Sequence, residues 1–257
     1  MLAIERQKQI SILLQTQKRV LVSELSRQFK VSEETIRRDL DKLAAQGVAV
    51  KSYGGAVYNE NASIELPFNV RKKRNVAGKE LIAGLAADLV QDDSHIFLDA
   101  STTAVFIAKA IRDRQHLTVI TNSLEIMIEL GEQTGWTVLS SGGRLKPGYL
   151  ALVGPQAVGE LNAYNAEQAF LSCKGLSAER GVTEGNEELA QTKQAILASA
   201  RSKILTVDHS KFDQVAFARV CEVGQLDTVI TDERPSDAWL ERLAAEGVNC
   251  IYPGQTA

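Results

Sequence analysis

The chain has 257 residues, 44% hydrophobic and 24% charged, a globular balance that excludes wholesale disorder and a fibre. No run reaches the roughly 18 apolar residues of a membrane span, and Met1-Leu2-Ala3-Ile4-Glu5-Arg6-Gln7-Lys8 lacks the apolar core of a signal peptide, so a cytoplasmic protein is expected. The net charge of −3 hides an asymmetry: residues 1–58 hold ten basic and six acidic side chains, whereas residues 59–257 hold nineteen and twenty-six. A small basic head on a larger acidic body suggests a polyanion partner for the head alone.

In chain order, Ile10, Leu13 and Leu14 mark a first helix. A second amphipathic stretch, Val22 to Phe29, has Ser23 as its N-cap and Val22, Leu25 and Phe29 on its inner face. Ser32 is a second N-cap, with Glu33 and Glu34 in the first turn where the helix dipole favours acids. The helix it opens carries Ile36, Leu40 and Leu43 at i, i+4 and i+7, and Gly47 is a fitting stop. Val48 to Lys51 and Ala56 to Tyr58 then flank Ser52-Tyr53-Gly54-Gly55 as a small wing.

Three short helices and a wing predict a winged helix-turn-helix over residues 1–58, with the third helix in the DNA major groove. If Ile36, Leu40 and Leu43 face the core, then Thr35, Arg37, Arg38 and Lys42 face elsewhere, and arginine forks well onto guanine or phosphate. Lys51 in the wing is placed for a phosphate. The alternative is a solvated face in which Arg37 and Arg38 pair with Asp39 and Asp41. The helix cap, the wing and the basic balance together favour DNA.

Residues 59–75 read as a linker. Asn59 to Ser63 is polar, Pro67 breaks a helix, and Arg71-Lys72-Lys73-Arg74 is either a solvated hinge or a second contact to the DNA backbone. From residue 76 onward, short apolar runs alternate with helical patterns. Strands are expected at 95–98, 117–120, 137–139, 169–171, 204–207 and 228–230. Helices are expected around Val105 to Ile111, Leu124 to Leu130, Glu188 to Ala200 and Asp237 to Glu246. That alternation predicts a mostly parallel, Rossmann-like α/β sheet over 76–257, with ligands outside the carboxyl ends of its strands.

Five polar loops fall at those ends. Asp99-Ala100-Ser101-Thr102-Thr103 joins hydroxyls to helix N-terminal amides, which suits a phosphate. Thr121-Asn122-Ser123, Ser141-Gly142-Gly143-Arg144, Cys173-Lys174-Gly175 and Asp208-His209-Ser210-Lys211 follow, with Lys211 as a point charge. Singly, each has an ordinary structural explanation: an N-cap, a turn, a hydrogen-bonded loop. Together they point to a site. No Walker A, dinucleotide-binding or metal-spaced pattern occurs, so neither cofactor nor metal is expected. Cys173, Cys221 and Cys250 are odd in number and widely spaced; they are expected to be buried and reduced.

The residues also carry a family resemblance. Arg6, Ile10 and Leu14, then, after a gap of seventeen residues, Ser32-Glu33-Glu34-Thr35-Ile36-Arg37-Arg38-Asp39-Leu40, resemble the helix-turn-helix signature of the DeoR family of bacterial sugar-operon regulators. Gly54-Gly55-Ala56 resembles its wing, with Tyr53 where many members carry His. Phe68, Arg71 and Lys79, the Asp99–Thr103 loop, Thr121-Asn122, Gly142-Gly143, Lys174-Gly175, Lys193 and Asp208 to Phe212 extend the likeness over nearly the whole chain. Ser101 stands where a glycine recurs in the family.

The resemblance implies a second domain similar to sugar-phosphate isomerase folds that senses phosphorylated sugars or polyols. The DNA-binding residues it implies are Ser32, Thr35, Arg37, Arg38, Lys42, Lys51 and Tyr53. The effector-binding ones are Asp99, Ser101, Thr102, Thr103, Asn122, Gly142, Gly143, Lys174, Gly175, Glu184, Lys193 and Lys211. The resulting expectation is a non-enzymatic regulator acting as a homo-oligomer on operator DNA, most simply a repressor. The alternative is a sugar-phosphate isomerase-like enzyme carrying a DNA-binding head, with Asp99, Glu184, Asp208 and His209 as acid–base groups.

Overall fold

The computed structural model describes residues 2–45, 48–58 and 66–255. The chain divides into two compact units, Met1–Leu66 and Pro67–Ala257.

In the first unit, helices run over Ala3–Gln17, Val22–Phe29 and Glu33–Ala45. The expected stripes are buried: Ile10, Leu14, Val22, Leu25, Ile36, Leu40 and Leu43 share one core, each contributing about 1.5–3 kcal/mol of apolar burial. Ser32 caps the third helix, accepting the Thr35 N–H at 3.2 Å. Ser23 does not cap the second. That helix opens at Val22, after an extended Leu21 and without a side-chain cap. The reason is a strand the sequence pattern missed, Arg19–Leu21, which leads straight into it. The strand pairs antiparallel with Gly55–Tyr58, itself paired with Ala49–Ser52, so the wing is three-stranded. Gly55 lies so close to that added strand that a Cβ would come within 2.0 Å of the Val20 carbonyl oxygen. Gly47, the expected helix stop, lies outside the described residues, as does 59–65 of the linker.

The second unit is built on a seven-stranded sheet. Its order is Asn249–Ile251, Thr228–Ile230, Ala200–Thr206, Ala166–Leu171, His95–Leu98, Thr118–Thr121, Thr137–Ser140, and every pairing is parallel. Alternating strand residues feed two cores. Ile96, Leu98, Val119, Ile204 and Ile230 pack with the helices Val76–Ala87, Thr102–Ala110 and Leu124–Leu130. Phe97, Ile120, Leu171, Leu205 and Val229 pack with Glu187–Ala198 and Asp237–Ala245. This is the three-layer α/β arrangement that burial on both sheet faces requires.

Several elements lay outside the sequence reading. They are the helix Val76–Ala87, the strand Asn249–Ile251, the hairpin Arg144–Lys146 with Ala151–Val153, the helix Pro155–Leu161, and a small antiparallel sheet of Gly175–Ser177, Gly181–Glu184 and Ala218–Cys221. The expected linker of 59–75 is also too long. A short helix, Phe68–Lys72, belongs to the second unit, because Phe68 is buried in its core. The three cysteines are free and buried. Burial pushes the Cys173 and Cys221 thiols up to about 12, so they are inert packing groups.

Candidate DNA-binding and effector sites

On the third helix of the head, Arg37, Arg38 and Lys42 are exposed and Thr35 is half-buried. The alternative pairing of the two arginines with Asp39 and Asp41 does not occur. Arg37 pairs with Glu33 at 2.9 Å and Arg38 with Glu34 at 3.3 Å, one turn back on the same helix. Asp39 is buried against Arg6, with Nε to Oδ2 at 2.6 Å, and accepts the Gln7 amide at 2.7 Å. The signature's Arg and Asp therefore hold the first helix to the third, while the two arginines between them stay exposed. Asp41 pairs with Lys51 of the wing at 2.5 Å, and Tyr53 stands fully exposed at the wing tip. Exposed pairs of this kind are worth only about 0.3–1 kcal/mol, so these cations exchange partners cheaply.

In the second unit, parallel strands bring all carboxyl ends to one edge. His95–Leu98 runs between a strand that follows it directly, Thr118–Thr121, and one that comes later, Ala166–Leu171. Such a reversal of strand order opens a crevice, and Asp99 sits there. Its Oδ1 accepts the Ser101 N–H at 3.0 Å and its Oδ2 the Ser172 N–H at 3.1 Å, joining the two loops. The Lys193 ammonium lies 3.1 Å from Asp99 Oδ2 and 2.6 Å from Glu184 Oε2, and donates to the Ser172 carbonyl at 2.5 Å. All three side chains are buried.

Burial alone would lower the Lys193 pKa, but Glu184 and Asp99 outweigh it and hold the ammonium above its ordinary value. Burial likewise works against the Glu184 carboxylate, yet Lys193 keeps its pKa below the usual range. Two groups of the enzymatic alternative, Asp99 and Glu184, are thus brought together, but onto a lysine that fixes the charge state of the cluster. The other two diverge. Asp208 accepts the Ser210 N–H at 3.0 Å. His209 meets Asp232, with its N–H 2.7 Å from Oδ1 and its Nδ1 3.0 Å from Oδ2. Burial opposes the imidazolium, but Asp232 and then Glu233 raise the His209 pKa.

The remaining expected residues line the same edge. Ser101 caps the helix after Asp99, accepting the Ala104 N–H at 3.0 Å, with Thr102 and Thr103 buried in its first turn. Asn122 is buried; its Nδ2 donates to the Leu152 carbonyl at 3.1 Å, and its Oδ1 has no hydrogen-bond partner. Gly142 and Gly143 form a turn with positive φ of 58° and 98°, and a Cβ on Gly143 would meet the Val153 carbonyl oxygen at 2.8 Å. Lys211 is half-buried, 3.8 Å from Asp208. Gly175 is buried at the start of its strand, and Lys174 is exposed with its N–H on the Thr183 carbonyl at 3.0 Å.

Two edge residues were missed. Ser172 follows its strand directly and carries no charge to draw notice. Asp232 follows Thr228–Ile230 as Asp99 follows its own strand, a positional signal that was available. Among the described residues, His209, Asp232 and Glu233 bring metal-ligand atoms within 4.8 Å of one another. The Asp232 oxygens already accept from His209 and from Asn75.

Comparison with known proteins bears on both regions. Residues 6–62 match the DeoR-like helix-turn-helix domain, and residues 74–233 the DeoR C terminal sensor domain. The chain is 39% identical to an uncharacterized HTH-type transcriptional regulator, YulB, of Bacillus subtilis, covering 90% of each. It is 33% identical to a putative aga operon transcriptional repressor of Escherichia coli O157:H7, over 98% of this chain and 94% of the relative. It is 34% identical to the L-fucose operon activator of Escherichia coli K12, over 89% and 95%. These relatives are named as regulators, not enzymes. Among solved structures, ribose 5-phosphate isomerase A from Methanocaldococcus jannaschii is similar at 17% identity and a TM-score of 0.41, over 54% of this chain and 55% of that one.

Proposed function

The chain belongs to the DeoR family of transcriptional regulators, and from that premise we propose that it controls a carbohydrate-utilisation operon. The head binds operator DNA, and the strand-end crevice of the sensor unit takes a phosphorylated sugar or polyol that changes operator affinity. The relatives named for sugar operons support the first half; both a repressor and an activator occur among them, and this protein acts as a repressor that its effector releases. A single helix-turn-helix reads few base pairs, so the protein acts as a symmetric oligomer on paired half-sites.

The observation that carries the effector reading is Asn122. A buried amide oxygen without a partner costs about 1–3 kcal/mol, and Asn122 follows Thr118–Thr121, the strand paired with the one that leads into Asp99 and the turn of Thr102 and Thr103. An unmatched acceptor at the end of a strand next to that hydroxyl-bearing turn suits a ligand rich in hydroxyl groups. The phosphoryl group goes to the amides opening the Thr102–Ala110 helix and to Lys211. The ligand acts by favouring one of two conformations of the protein.

The test is a thermal-shift screen of the full chain against hexose, pentose and polyol phosphates and their unphosphorylated parents. A true effector at about 100 times its Kd adds roughly 2.7 kcal/mol. A shift with the phosphorylated compound alone, together with changed binding to the operon's upstream DNA, supports the reading. Equal shifts with the parent sugars contradict it.

A further inference from the structure

The helix Val76–Ala87 is apolar on both sides. Its inner face, with Ile82, Ala83, Ala86 and Ala87, packs in a core of the sensor unit. Its outer face carries Ala77, Leu81 and Gly84, all exposed, and Leu81 and Val76 leave 50% and 38% of their surface to solvent. The helix Glu187–Ala198, on the other face of the sheet, instead turns Glu187, Gln191 and Gln194 outward. A helix that is apolar all round is ordinarily covered all round.

Its two glycines differ. Gly78 is explained within the chain, since a Cβ there would come within 2.4 Å of Asp232 Oδ2. Gly84 is not, because nothing lies within 4 Å of the place its Cβ would take. Glycine in mid-helix is destabilising relative to alanine, and no neighbour in its own chain calls for it. A residue without a side chain at that point lets a second helix come close. Ala77, Leu81, Gly84 and Asp88 follow one another at steps of four, three and four, the spacing of a helix–helix seam.

Charge points to what covers the seam. Lys73 and Arg74, just before the helix, and Asp88, Asp92 and Asp93, at and beyond its end, are exposed and make no ion pair among the described residues. Laid antiparallel on itself about a two-fold axis between Ile82 and Ala83, the helix sets Leu81 of each copy against Gly84 of the other. The same register sets Lys73 opposite Asp92 and brings Arg74 beside Asp88. A parallel pairing would instead set like charges together, which is costly. We propose that this face is the dimer interface of the sensor unit, covered by the same helix of a second copy of the chain. This rests on the reading of the protein as a symmetric oligomer on paired half-sites, and it says where the copies meet. Such an isologous contact closes as a dimer. The helix is about 18 Å long, so the pair alone is smaller than a standard interface of about 800 Å² per partner. Two heads on one operator raise the effective concentration and tighten it.

The experiment uses the full chain, with self-association read by sedimentation equilibrium and folding by circular dichroism. Leu81→Glu and Gly84→Leu are each expected to weaken self-association roughly 30-fold or more, as a central interface residue does, with the dichroism unchanged. Arg74→Glu weakens it roughly tenfold, because an exposed pair worth up to about fivefold occurs twice across the axis. Asp88→Lys alone also weakens it, and the two charge reversals in one chain restore it. If Leu81→Glu does not fold, Gly84→Leu and the charge exchange still decide. Wild-type association in both Leu81→Glu and Gly84→Leu would overturn the interface and leave the oligomer reading standing. Association lost in Leu81→Glu but not restored by the paired charge reversals would mean a different occupant, and overturn it as well. A wild type that stays monomeric in solution and binds its operator as a single copy would remove both.

Discussion

Replacing Lys193 with Met tests the electrostatics of the crevice. The ammonium touches two buried carboxylates, at 3.1 and 2.6 Å, and one carbonyl, at 2.5 Å. Methionine fills much of the same space but leaves Asp99 and Glu184 buried without a counter-charge. Breaking a buried pair in this way costs about 3–5 kcal/mol. For a unit of this size each kcal/mol moves Tm by about 2–4 °C, so the sensor transition should fall by roughly 6–20 °C at pH 7. The deficit should shrink towards pH 5, because the uncompensated acids take up protons more readily than in the wild type. The triple variant Lys193→Met, Asp99→Asn, Glu184→Gln should recover much of the loss, since it removes all three charges together. Differential scanning calorimetry of the full chain reads both transitions. A sensor Tm for Lys193→Met within about 2 °C of the wild type would show that the lysine does not compensate these acids, and the charge argument would fail.

Three further outcomes follow from the same reasoning. Arg37→Ala with Arg38→Ala removes two exposed helix pairs worth about 0.3–0.5 kcal/mol each, yet should cost about 1–3 kcal/mol per lost DNA contact; unchanged affinity in a gel-shift titration would take the third helix out of the groove. Arg6→Met leaves Asp39 buried and unpaired and should destabilise the head by about 3–5 kcal/mol, seen as rapid proteolysis within residues 1–66, with Asp39→Asn in the same background restoring resistance. The raised pKa of His209 means its pairing with Asp232 stabilises fully below about pH 6.5 and is lost as pH rises through the higher folded value. His209→Gln should therefore narrow its Tm deficit as pH climbs from 6.5, and a deficit that stays constant with pH would show that the pair is not charged.

Patterns within ten residues of one another were legible in the sequence. The 3.6-residue stripes Ile10–Leu14 and Ile36–Leu43 and the apolar runs at 95–98 and 228–230 became the elements they imply, because each buries its own face. Three-residue strands such as Arg19–Leu21 and Asn249–Ile251 are too short to show a period; only their partners define them. The Asp99–Lys193–Glu184 cluster was present as three separate candidates, but its meaning depends on strand order. The switch point puts Ser172 beside Asp99, and the small antiparallel sheet carries Glu184 in from one side. Arg71 misled in the other direction. As part of a run of four basic residues it looked like hinge or DNA contact, whereas Phe68, three residues earlier, anchors the segment in the sensor core.

The most direct measurement titrates a sugar phosphate identified by thermal shift into the operator complex and follows DNA release by fluorescence anisotropy, for the wild type, Lys211→Ala and the Thr102→Ala, Thr103→Ala pair. All three are expected to bind operator with similar affinity without ligand. The variants should need roughly 10- to 150-fold more ligand for release, and the unphosphorylated sugar should release none of them. Release of both variants at the wild-type concentration would contradict the account and move the sensing site away from the strand ends.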